Sequence, residues 1–336
     1  METAAPPAIA ADSPWRLCVA PMMDWTDRHC RAFHRVLAPH ARLYTEMVHA
    51  QALLHGDRAR LLAHDAGEHP LALQLGGSEP RELAAAAAIG AAAGCDEINL
   101  NVGCPSDRVQ AGRFGACLMR EPALVADGVR AMRDAVAVPV TVKCRIGVDE
   151  QDAYADLQHF ATAMVAAGVE ALIVHARKAW LSGLSPQENR ELPPLDYARV
   201  YRLQRDFPGL TLVINGGIVS VAAVREHLTQ MHGVMLGRVA YHDPWVLAQT
   251  DAALWGTLLP ARADALRALR PYVEAELARG TALRHMARHW LGLYQGLPGA
   301  RSFRRLLGEQ GRAAGADWGL VERALAAVEA APAVAA

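Results

Sequence analysis

Eight short apolar, β-branched runs alternate with helical patterns along the chain, and these strand signals stop after Trp255. Together the two observations predict an α/β fold, a (β/α)8 TIM barrel followed by a small C-terminal all-helical domain. A doubly wound open sheet shares the alternation, but no Gly-x-Gly-x-x-Gly follows the first strand.

The strands fall at 17–20, 43–47, 71–75, 97–102, 140–146, 171–175, 211–215 and 233–236. Between them, 79–93 is rich in alanine, 122–135 opens on a proline in its first turn, and 153–167 is stopped by Gly168. After the barrel, amphipathic helices are expected at 261–280, 281–294, 301–307 and 318–328. The organisation is a disordered lead-in at 1–14, a barrel at 15–255, a helical domain at 256–330 and a frayed terminal tail.

With 336 residues, 52% of them hydrophobic and 21% charged, the composition is that of a soluble globular protein. No apolar run approaches the roughly 18 residues of a membrane span, and the first residues lack the basic-then-apolar order of a secretory signal. Six scattered cysteines with no Cys-x-x-Cys pair argue against structural zinc and a disulfide framework, and fit a reducing cytoplasm. The net charge of −1 is unevenly spread, with ten arginines against four acids between positions 261 and 312. A basic module on an otherwise acidic chain suggests a polyanionic partner.

In such barrels the chemistry sits where the strands end. Those ends carry Ala-Pro-Met-Met (20–23), Gln-Leu-Gly-Gly (74–77), Asn-Leu-Asn-Val-Gly-Cys-Pro (99–105), Lys-Cys-Arg (143–145), His-Ala-Arg (175–177), Asn-Gly-Gly (215–217) and Gly-Arg (237–238). Only two of 34 basic residues are lysine, Lys143 and Lys178. Lys143 reads as a lysine snorkelling from a strand end, as a cation facing a ligand that becomes anionic, or as a Schiff-base amine. His175 closes an apolar strand, where a hydrogen-bonded structural histidine is the plainer reading. Gln74 needs amide partners if buried, and can both donate to and accept from a flat heterocycle.

The loops after strands seven and eight, with Asn215, Gly216, Gly217, Gly237 and Arg238, suit a phosphate, whose approach to backbone N–H groups needs glycine. Cys104 differs from the cysteines at 18, 95 and 144, which read as small core residues. It stands on a Gly-Cys-Pro turn at the barrel mouth. A thiol, with an ordinary pKa of about 8.5, keeps its proton at neutral pH and can act as a general acid. Nucleophilic use is the rival.

These motifs resemble those of the tRNA-dihydrouridine synthases, over nearly the whole chain from Ala20 to Arg305. The run 101–119, Asn-Val-Gly-Cys-Pro-Ser-Asp-Arg-Val-Gln-Ala-Gly-Arg-Phe-Gly-Ala-Cys-Leu-Met, is highly specific. The run 175–197 looks like the A subfamily, which acts on D-loop uridines 20 and 20a of tRNA. The resemblance implies an FMN enzyme with NADPH as reductant and tRNA as partner, working as a monomer without structural metal. By position, Pro21, Met22 and Met23 would line the isoalloxazine, and Gln74, Lys143 and His175 would bind the ring and ribityl region. Asn215, Gly216, Gly217, Gly237 and Arg238 would hold the phosphate. Cys104 would be the proton donor and Asn101 would position the uracil. Arg177, Asn189, Arg190, Arg301 and Arg304 would contact tRNA. The rivals are a small-molecule dihydropyrimidine or dihydroorotate oxidoreductase, a Schiff-base aldolase using Lys143, and a non-catalytic RNA-binding barrel.

Overall fold

The computed structural model describes residues 13–106, 109–110 and 112–331. The expected lead-in and terminal tail lie outside these, apart from residues 13–14 and 330–331.

The strands are β1 (Leu17–Val19), β2 (Leu43–Tyr44), β3 (Val48–His49), β4 (Leu71–Gly76), β5 (Glu97–Val102), β6 (Val140–Arg145), β7 (Ala171–His175), β8 (Thr211–Asn215) and β9 (Gly233–Leu236). All pair in parallel, in the order β1-β9-β8-β7-β6-β5-β4-β2, with β3 also beside β4. The two ends meet at Arg42, whose N–H donates to Leu17 O and whose carbonyl accepts from Val19 N, both at 2.9 Å. That closes the barrel, and with the helices outside it gives the expected fold class.

The second strand, expected unbroken at 43–47, comes in two pieces. The Thr45 hydroxyl accepts the Gln74 N–H at 3.1 Å in place of a ladder carbonyl. The chain then steps aside and returns as β3 opposite Leu75 and Gly76.

The helices Pro80–Ala92, Pro122–Ala135 and Tyr154–Ala167 follow their sequence signals closely. In the C-terminal region the boundaries differ. The stretch 261–280 forms two helices, Arg262–Ala268 and Arg270–Ala278, because Pro271 has no N–H to continue the first. The stretch 281–294 is helical only over Leu283–Ala287. There Gly292 packs against the His242 carbonyl so closely that a Cβ would sit 2.4 Å from its oxygen. Helices Ala300–Arg305 and Trp318–Glu329 are as expected, the first running into a π turn at Leu306–Gln310.

Two apolar cores result. A large one lies between strands and helices and runs on into the C-terminal helices, where Leu266, Trp290 and Phe303 join Phe33 and Leu37. A small one fills the lumen, with Cys18, Tyr44, Ala72, Ile173, Val213 and Met235. The C-terminal helices are also clasped polar-wise to the first barrel helix, Arg28–Leu37. The fully buried Glu276 carboxylate takes Arg28 at 2.6 Å, Arg279 at 2.7 Å and the Thr281 hydroxyl at 2.9 Å. Asp27, which caps that helix, takes His289 at 3.0 Å.

Candidate active site at the barrel rim

Alternation along each strand decides what faces the lumen. On β6, Val140, Val142 and Cys144 join the outer core, so Thr141, Lys143 and Arg145 point inward. Register then brings neighbours together: Asn101 lies opposite Lys143, Arg145 opposite His175, and His175 opposite Asn215. These strand ends open on a cavity of about 480 Å³, within the usual size of a small-molecule site.

The sequence-predicted cofactor residues gather there: Pro21, Met22, Met23, Gln74, Lys143, His175, Asn215, Gly216, Gly217, Gly237 and Arg238 all line this one cavity. Asn101, Cys104 and Arg190 line it too. Its charge is one-sided, with Lys143, Arg145, Arg190 and Arg238 against a single acid, Asp24. Among the described residues no carboxylate pairs with Lys143, whereas Arg238 is ion-paired with Glu191. Burial, with Arg145 beside it, pushes the Lys143 ammonium down to about 8. Burial, followed by the charges of Arg145 and Lys143, holds His175 well below the ordinary histidine range. His175 is therefore biased toward its neutral form.

At the turn after β8, Gly216 and Gly217 have φ of +114° and +69°. A Cβ on Gly216 would sit 2.7 Å from His175 Cδ2, and one on Gly217 2.5 Å from Leu195 Cδ1. The Tyr197 hydroxyl donates to the Gly216 carbonyl at 2.7 Å and braces the turn.

Cys104 is half-buried on the loop after β5. Its N–H and that of Gly103 donate to Asn101 Oδ1 at 3.0 and 3.1 Å. Its carbonyl accepts from Ala116 N at 2.9 Å, and its Sγ lies 3.5 Å from Ser106 Oγ. The thiol thus faces the cavity from a loop tied down at both ends.

The tRNA-contact expectations fare unevenly. Arg190, Arg301 and Arg304 are exposed, with Arg304 bonded to Gln295 Oε1 at 3.2 Å. The Arg177 guanidinium donates to the carbonyls of Glu191 and Pro193, so it ties a loop. Asn189 is fully buried; its amide accepts Trp180 N at 2.7 Å and donates to the carbonyls of Trp180 and Leu184 at 2.9 and 3.1 Å. It shapes the 180–190 loop and, so placed, has no surface to offer a partner.

Arg145, Met47 and Ser106, not among the residues expected from the sequence, also line the cavity. Arg145 braces three segments through the carbonyls of Gly103, Lys178 and Asn189, at 3.1, 3.2 and 2.8 Å. Its signal was its place two residues after Lys143. Among the described residues no group of three or more His, Cys, Asp or Glu is assembled to hold a metal, and no helix is long and apolar enough to cross a membrane.

Fold and rim define a TIM-barrel enzyme with a cation-lined cavity at the C-terminal ends of its strands and a loop thiol beside it. A family model described as dihydrouridine synthase matches residues 18–329. The chain is 64% identical over 322 residues to the tRNA-dihydrouridine(20/20a) synthase of Xanthomonas campestris, covering 96% of each protein. It is 61% identical to the protein of that name from Xylella fastidiosa, over 94% of this chain and 95% of the other. With the Vibrio cholerae protein of that name it shares 55% identity, over 93% and 96%. The chain belongs to the dihydrouridine synthase family, whose members are flavin-dependent oxidoreductases.

Proposed function

We propose that this protein reduces the C5–C6 double bond of uridines 20 and 20a in the D loop of tRNA, with FMN as cofactor and NADPH as reductant. The observation that carries the reading is one cavity shared by Cys104, Asn101, Lys143, His175 and the Gly216–Gly217 turn. The names of the relatives support the substrate.

The residues present fit FMN. Pro21, Met22 and Met23 offer an apolar wall for a flat ring. Gln74, Lys143 and His175 would bind its polar edge and ribityl chain. Asn215, Gly216, Gly217, Gly237 and Arg238 suit the phosphate, where the two positive-φ glycines leave backbone N–H groups open to close approach. When bound, FMN supplies the hydride that adds to C6 of the uracil.

Cys104 then gives its proton to C5. Lys143, without an acid partner among the described residues, offsets negative charge gathering on the ligand beside it. Asn101 positions the uracil while holding the Cys104 loop. A uridine can lie in this cavity only once it has left its stack, so the base flips out. The exposed Arg190, Arg301 and Arg304 meet tRNA phosphates, the last two from the helical domain at 256–330. The protein acts as a cytoplasmic monomer on this reading.

The test is direct. Purified protein should show flavin absorbance, and tRNA from cells lacking it should carry uridine in place of dihydrouridine at 20 and 20a. A colourless protein that takes up no FMN, or unchanged dihydrouridine, overturns the reading.

A further inference from the structure

Parallel strands covered on both faces normally read as continuous apolar runs. Here β5 reads Glu-Ile-Asn-Leu-Asn-Val, and Glu97, Asn99 and Asn101 all face the lumen with Thr141 of β6 and Gln74 of β4. Glu97, Asn99 and Thr141 are wholly inaccessible, and Gln74 and Asn101 nearly so. The proton-donor reading of Cys104 leaves the deeper three unused.

The five form one continuous ladder. Cys104 N–H donates to Asn101 Oδ1 at 3.0 Å. Asn101 Nδ2 donates to Gln74 Oε1 at 2.9 Å, and Gln74 Nε2 to Asn99 Oδ1 at 2.7 Å. Asn99 Nδ2 donates to Thr141 Oγ1 at 2.8 Å, and the Thr141 hydroxyl donates to Glu97 Oε1. Trp15 Nε1, Tyr44 Oη and Arg42 close on the same carboxylate at 2.8, 2.8 and 3.1 Å.

Every link donates toward Glu97. The Glu97 carboxylate accepts from four groups, of which the Trp15 and Arg42 N–H groups can only donate, and the backbone N–H groups of Gly103 and Cys104 can only donate. The two ends therefore demand the same direction through three amides, each of which could by itself turn over. Turning any one of them would set donor against donor among side chains that are wholly or almost wholly buried. The carboxylate thus reaches the rim from four residues down the strand, about 13 Å at the usual rise of ~3.3 Å per residue.

We propose that Glu97, acting through Thr141 and Asn99, is a positioning residue for Cys104: it fixes which way the Asn101 amide faces and so holds the loop that carries the thiol. This rests on the reading of Cys104 as proton donor. Glu97 never touches substrate; its effect arrives as the placement of Asn101 and Cys104.

The test compares Thr141→Val with Thr141→Ser in the flavin-loaded enzyme. Valine keeps the shape and removes the hydroxyl, cutting Glu97 from the ladder and orphaning the Asn99 N–H; serine keeps the link. NADPH-driven flavin reduction and tRNA-driven flavin reoxidation are timed separately. For Thr141→Val, reoxidation should slow by on the order of 10-fold or more, with flavin reduction and the KM for tRNA unchanged. Thr141→Ser should restore it. Iodoacetamide alkylation of Cys104, followed by peptide mass, should change in the valine variant alone. Should valine at 141 prevent folding, Asn99→Leu, which keeps the approximate shape and removes the link to Thr141 without adding charge, should give the same selective loss.

Reoxidation at the unaltered rate in Thr141→Val overturns the proposal. So does a joint loss of flavin reduction, tRNA KM and reoxidation, which would leave the ladder a packing role only. Cys104→Ala in the same assay separates the two ideas. If it is inactive while Thr141→Val is normal, the ladder falls and the thiol stands. If it reoxidises normally, the thiol reading fails and the positioning role fails with it.

Discussion

The side chain of Asn101 and the backbone of Cys104 are joined by a hydrogen bond of 3.0 Å, with the Cys104 N–H donating to Asn101 Oδ1. The residue expected to hold the substrate base therefore also holds the residue expected to protonate it. Asn101→Ala removes this tie and its partner bond from Gly103. A loop acid displaced by about 1 Å loses on the order of 100-fold in rate. Tritium- or mass-based dihydrouridine assays should show that loss, while flavin content stays normal. Asn101→Asp, which keeps the acceptor, should lose less.

Lys143 gives a pH signature. Its folded pKa is pushed down to about 8, burial being the main cause. An anionic ligand favours the charged form, so FMN binding raises that pKa and takes up a proton above it. FMN affinity should then be flat below about pH 7 and weaken as pH rises through the lysine's own value. Fluorescence titrations across that range check it, and Lys143→Met should bind more weakly with this pH dependence removed.

Gly217→Ala tests the phosphate turn. The backbone there has φ +69°, and the new Cβ would meet Leu195 Cδ1 at 2.5 Å and the Tyr197 hydroxyl at 3.0 Å. Strain of this kind costs about 1–3 kcal/mol, which weakens FMN roughly 10-fold or more if the turn must shift to relieve it. Riboflavin, which lacks the phosphate, should bind the variant and the unaltered protein alike.

Replacing Arg301 and Arg304 together with alanine should weaken tRNA binding at low salt. The slope of log affinity against log salt should drop by about 1–2, one for each phosphate no longer neutralised. Filter binding at several salt concentrations measures both. Unchanged affinity and slope would remove these two residues from the interface.

The barrel was legible because its parallel strands are short β-branched runs separated by helices with ordinary start and stop signals. The rim was legible because Lys143, His175 and the Asn-Gly-Gly turn break apolar strands at their ends. Less visible was anything whose role depends on a partner far along the chain. Glu97 and Thr141 are 44 residues apart and neither is unusual alone; only the polar alternation in buried parallel strands marks them. Asn189 was expected, with Arg177 and Arg190, to contact tRNA, yet its three-way bonding within the 180–190 loop buries it. The C-terminal helices were amphipathic enough to be found. Their ends were set by Pro271 and by the contact of Gly292 with His242, a tertiary approach that periodicity does not encode.

On the proposed reading Cys104 protonates a uracil that Asn101 positions, while Gln74, Lys143, His175 and the Gly216–Gly217 turn serve the flavin. The most direct measurement is a single turnover without oxygen. Enzyme and a Cys104→Ala variant are reduced with NADPH, mixed with tRNA lacking dihydrouridine, and followed by flavin absorbance and tRNA mass. Both should reduce at the same rate; only the unaltered enzyme should then reoxidise at speed and form dihydrouridine, the variant slowing by roughly 100-fold or more. Equal reoxidation and equal dihydrouridine yield in the variant would contradict the claim.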